Sequence, residues 1–101
     1  MPTLVEFGVF VLVGLFGVNG VPHFVQGVVG NEHMTPLGSD SSAVTNVVWG
    51  SVNFAVAGLA AWWASDAIAP ETVAVAFVSG VALAVALAWF WSRPDAALPW
   101  E

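Results

Sequence analysis

Three stretches of almost unbroken apolar sequence are separated by two polar ones. Residues 3–21 read TLVEFGVFVLVGLFGVNGV, residues 43–63 AVTNVVWGSVNFAVAGLAAWW, and residues 72–91 TVAVAFVSGVALAVALAWFW. Each is close to the ~20 residues that a helix rising 1.5 Å per residue needs to cross ~30 Å of hydrocarbon. The valine content would favour strands in water. In lipid an open strand leaves backbone groups unpaired, and three such segments cannot close a barrel, so the pattern predicts helices. The fold class expected is all-α: an integral membrane protein with three transmembrane helices, forming a single membrane domain over residues 1–101.

The connectors differ. Residues 64–71, ASDAIAPE, make a short polar turn with Pro70 just before the third span, which predicts an antiparallel hairpin of spans two and three. Residues 22–42 are too short and too polar for a fourth span. Pro22 suits a first helical turn, where its missing N–H costs nothing, and Asn19 is a plausible N-cap. The reading is a break near Gly20 and a short interfacial helix from Pro22 to about Gly30 between the first two spans. Its Phe24, Val25, Val28 and Val29 would lie in the acyl chains, with His23 and Gln26 on the other side. Gly30 and Asn31 stop it, Thr35-Pro36-Leu37-Gly38 turns, and Ser39 or Asp40 caps span two. The first segment lacks a basic start, carries Glu6 and ends in NGVPHF rather than a small-residue cleavage site, so it reads as a span and not as a signal peptide.

Composition agrees with the spans: 58% apolar and 8% charged residues cannot cover a soluble surface. Cysteine is absent, which excludes disulfides and thiolate chemistry. Seven acids against one Arg and no Lys argue against nucleic acid as a partner, and suggest a high-salt source that screens self-repulsion. Arg93 follows span three, so the positive-inside rule places the C-terminus (residues 92–101) and the connector in the cytoplasm, with the N-terminus outside. Trp62 and Trp63 at one level, and Trp49, Trp89 and Trp91 at the other, suit headgroup anchors.

The chemistry concentrates near the inner ends of spans one and two. Asn46 and Asn53 lie seven residues apart with Gly50 between them, one stripe of a helix, and Asn19 and His23 sit at the same depth on the first span. An amide facing lipid is costly, so Asn19, His23, Asn46 and Asn53, with Trp49 beside them, are expected to form a polar cluster. Such a cluster either clasps helices together or coordinates a solute or proton at the imidazole. Glu6, the one acid within a span, is a proton-relay candidate only if it faces a helix interface. Ala76, Gly80, Ala84 and Ala88 put a small residue at every fourth position of span three, a packing row. The small-residue faces exceed what three helices need and point to a homo-oligomer or a larger membrane complex. No spacing matches a metal motif, no cofactor is implied, and His33 reads as a solvated loop residue.

The segments Asn19-Gly20-Val21-Pro22-His23-Phe24 and Asn46-Val47-Val48-Trp49-Gly50, with Asn53, carry a resemblance. Over residues 19–54 the chain resembles a group of small uncharacterised prokaryotic membrane proteins of three spans, with N-G-x-P-H-F and N-x-x-W-G-x-x-N segments. Those proteins tend to have Pro-Phe where this chain has Pro36-Leu37. The resemblance implies a three-span fold and directs attention to these residues, without implying an activity.

With no paired carboxylates, no Ser–His–Asp set and no phosphate loop, the expectation is a non-enzymatic membrane subunit, accessory to a larger complex or self-assembled. The alternative is a homo-oligomeric channel or transporter with the Asn/His cluster lining its path.

Overall fold

A computed structural model describes residues 1–96; of the tail at 92–101, residues 97–101 lie outside the described residues. The chain is helical, with α1 at Leu4–Val28, α2 at Ala43–Trp63 and α3 at Pro70–Trp91, all long and apolar enough to cross a membrane. A small antiparallel hairpin, β1 (His33–Thr35) and β2 (Gly38–Ser41), joins α1 to α2. α1 is the central element: α2 and α3 both pack on it and hardly touch each other. The short 64–69 connector therefore sets α2 and α3 antiparallel without making them a packed pair.

The expected break near Gly20 does not occur, and there is no separate interfacial helix. α1 runs through Pro22 to Val28. Proline removes one helical N–H donor. Continuity keeps Gly20, His23 and Gly27 on one face, and all three are buried. A Cβ on Gly50 would stand 2.8 Å from the Gly20 carbonyl oxygen, so the α1 and α2 backbones meet directly at this pair. That contact offsets the lost bond, and Asn19 serves inside the helix rather than as an N-cap. The helix then stops as the sequence suggested. Gly30, at φ 84°, donates to the Gly27 carbonyl and Asn31 donates to that of Gln26, the paired bonds of a Schellman end.

The residues after Asn31 form the hairpin, with Pro36 and Leu37 at its tip. Thr35 is fully buried; its hydroxyl lies 2.6 Å from that of Ser41 and accepts from the Leu37 N–H. Because the hairpin extends the chain to Ser41, the cap of α2 is Ser42, whose Oγ accepts from the Thr45 N–H at 3.1 Å, and not Ser39 or Asp40.

At the opposite end of the bundle the packing is apolar. Phe10 of α1 sits against Ala64 and Ala67 of the α2–α3 connector. Thr72, fully buried, accepts from the Ala69 N–H at 2.9 Å and donates to the Ala67 carbonyl at 2.7 Å, closing the start of α3. A Cβ on Gly14 would overlap the Ala76 backbone carbonyl, and one on Gly80 would lie 3.2 Å from the Gly14 oxygen. The α1–α3 contact is thus a backbone approach through small residues, as expected where lipid supplies no hydrophobic drive.

Candidate functional site

The polar residues of the spans meet in two pairs. Asn19 Nδ2 donates to Asn53 Oδ1 at 3.0 Å, and Asn53 Nδ2 donates back to the Trp49 carbonyl of its own helix at 2.8 Å. His23 Nδ1 lies 3.0 Å from Asn46 Oδ1. Residues 19 and 23 are one turn apart on α1, and 46 and 53 are two turns apart on α2, so crossing the helices at Gly20 and Gly50 brings both pairs together. Asn46 and Asn53 are the largest fully buried side chains of the described residues, and His23 is 4% exposed.

Asn46 is the hub. Its Nδ2 faces the carbonyl oxygens of His33 (2.9 Å), Ser41 (3.1 Å) and Ser42 (3.0 Å). Since His33 and Ser41 are partners across the hairpin, this one amide fastens the hairpin's open end to the first turn of α2. An NH₂ that faces carbonyls leaves Oδ1 as an acceptor, so His23 Nδ1 must carry a proton. In the neutral imidazole, Nε2 is then a bare lone pair. Among the described residues no fully buried side-chain nitrogen or oxygen lacks a partner. Among these residues His23 makes no side-chain hydrogen bond beyond the one at Nδ1. Nε2 therefore opens onto the cavity that His23 lines.

That cavity has a volume of about 600 Å³ and lies between α1, the hairpin and the second half of α3. Val18 and His23 of α1, His33 and Met34 of β1, and Ala88 and Trp91 of α3 form much of its wall, and Trp49 contributes from α2. Among the described residues no charged side chain lines it. The His23 and His33 ring centroids are 5.4 Å apart, and Trp91 follows His33 at 6.2 Å. His33, expected in solvent, is half-buried here. Burial, and secondarily the imidazole of His23, hold its pKa below the usual 6.5. Nothing in the local sequence HMT announces this; it follows from a hairpin that folds back over α1.

The other expected residues divide. Glu6 is used at the start of α1: its carboxylate accepts from the Thr3 N–H at 2.8 Å while Thr3 Oγ1 accepts from the Glu6 N–H, a capping box. It shares a shallow pocket with Asp66 and Glu71, and thirteen residues, about 20 Å of helix, separate it from Asn19. It has no contact with the cluster. Of the small-residue row on α3, Ala76 and Gly80 pack on α1, whereas Ala84 and Ala88 are exposed and edge the cavity. Trp49 is half-buried at the cavity wall, and Trp62 and Trp63 are exposed at the far end. Among the described residues no group of three metal-ligating side chains converges.

No family model, no curated protein and no solved structure matches the chain.

Proposed function

We propose that this chain is a small non-enzymatic membrane subunit, accessory to a larger membrane complex or assembled with copies of itself. The observation that supports this best is how the polar groups of the spans are used. Asn19, Asn53, Asn46 and Nδ1 of His23 are taken up in bonds that hold α1, α2 and the hairpin together. Among the described residues no acid lines the cavity beside His23 to make an acid–base pair, Glu6 being committed to its capping box. Phe10, Ala64 and Ala67 pack together at the opposite end, and none of them lines the cavity at the hairpin end. Three helices with one packed seam on each side of α1 leave most of α3 uncovered, which favours work inside an assembly. Native mass spectrometry of protein gently extracted from its own membrane tests this. Stoichiometric partner chains, or a discrete homo-oligomer that carries no ion or solute flux in vesicles, support the reading. A homo-oligomer whose flux vanishes in His23→Ala while assembly persists replaces it with the channel reading.

The hairpin and the C-terminus of α3 share one end of the bundle, and we place that end in the cytoplasm. Arg93 supports this: it follows α3 and lies 5.0 Å from the Trp89 ring centroid, an arrangement suited to the headgroup level. In this cysteine-free chain, Ser39→Cys should be labelled by an impermeant maleimide only after the membrane is opened. Labelling of intact cells would reverse the orientation.

A further inference from the structure

We propose that the cavity between α1, the hairpin and α3 binds a lipophilic phenol, a neutral amphiphile whose aromatic hydroxyl donates a hydrogen bond to His23 Nε2 while its apolar tail lies along α3. This goes beyond the subunit reading above and does not rest on it.

Four features select this class. A volume of about 600 Å³ is that of a small-molecule pocket. His23, 4% exposed as a residue, turns Nε2 into this cavity with no hydrogen-bond partner among the described residues, and the hub amide of Asn46 fixes that atom as an acceptor. A head group seated on Nε2 must therefore bring a donor, which a hydroxyl supplies and a carbonyl, an ether or an anion does not. Rings surround the position: His33 beside His23, Trp91 beyond it and Trp49 in the wall, so an aromatic head finds faces and edges to pack on. Apart from Asn19, His33 and the two indole N–H groups the wall is apolar, and among the described residues it carries no charge to pair with an ionic head, while the exposed Ala84 and Ala88 leave room on α3 for a tail. A metal ion fits less well, because two imidazoles without a third ligand make an incomplete set.

The test is a titration of the full chain in lipid nanodiscs with 4-nonylphenol and with its methyl ether, followed by tryptophan fluorescence, since Trp49 and Trp91 line the cavity. The phenol should saturate the signal and bind at least ~10-fold more tightly than the ether, the loss expected for one buried hydrogen bond. His23→Asn keeps an N–H donor near the place of Nδ1 and removes Nε2, and should abolish that preference. Ala88→Trp fills the cavity from an exposed position outside the Asn/His network, and should abolish saturable binding with helical content unchanged. Equal affinity of phenol and ether for the unmodified chain overturns the proposal, even if His23→Asn does not fold. Unaltered phenol binding to Ala88→Trp overturns it equally.

Discussion

The two ends of the bundle are held by different physics. At the end with Phe10, Ala64 and Ala67, helices meet through small and apolar groups, and the polar bonds are local caps from Thr3, Glu6 and Thr72. At the hairpin end, the bonds also run between residues far apart in sequence: Asn19 to Asn53, His23 to Asn46, and Asn46 to the His33 carbonyl. In lipid an apolar contact says little about which faces should meet, because the tails are as apolar as the side chains. A buried amide with its donors and acceptors all assigned is satisfied in few arrangements. The apolar end supplies closeness; the polar end supplies register, and among the described residues it leaves Nε2 of His23 without a hydrogen-bond partner.

The sharpest way to break this asymmetry is at the hub. Asn46→Ala should cost about 2–4 kcal/mol, because it strands His23 Nδ1–H and removes the amide donor that faces the hairpin carbonyls. Asn46→Asp, which keeps the acceptor but turns an oxygen towards those carbonyls, should be nearly as harmful; both are read by unfolding in mixed detergent micelles. At the other end, Gly14→Leu drives a side chain into the Ala76 backbone and should cost about 1–3 kcal/mol. It should loosen α3 while leaving the His23 ring environment unchanged in NMR spectra. Thr72→Val removes a local cap and should cost about 1 kcal/mol. Asn19→Ala removes a single interhelical bond, for about 0.6–2 kcal/mol.

The smallest effect is one of pH. The pKa of His33 is lowered in the fold, so below about 6.5 the unfolded chain takes up a proton that the folded hairpin resists. Stability of the hairpin end is then full above that value and declines as pH falls through it. Amide exchange of the hairpin should quicken on acidification, and His33→Phe should remove the dependence; exchange that quickens equally in the variant assigns the effect elsewhere.

The sequence makes the spans plain because apolar runs of that length have few other uses. The stripe of Asn46, Gly50 and Asn53 is legible too, since helical spacing alone puts these residues on one face, and it is the face that α2 buries against α1. Pro22 misled: judged locally it begins a helix, but the burial of Gly20, His23 and Gly27 on one face outweighs one missing hydrogen bond. The hairpin was illegible. HMT and GSDS have no strand pattern, and their pairing is fastened from outside by an Asn of the next helix. With the hairpin unseen, His33 and the cavity it helps enclose were unseen as well. The row on α3 was half legible: Ala76 and Gly80 pack on α1 as the spacing implies, but Ala84 and Ala88 edge an opening that no spacing announces.

Everything at the hairpin end turns on which nitrogen of His23 carries the proton, and this can be measured directly. Long-range ¹⁵N–¹H correlation spectra of histidine-labelled protein in nanodiscs, recorded above neutral pH and assigned with His33→Phe, report the tautomer of each ring. For His23 a protonated Nδ1 and a bare Nε2 are expected, with Asn46→Ala releasing that preference. A proton on Nε2 would mean that Asn46 does not hold the ring, and would contradict both the register attributed to the network and the acceptor assigned to the cavity.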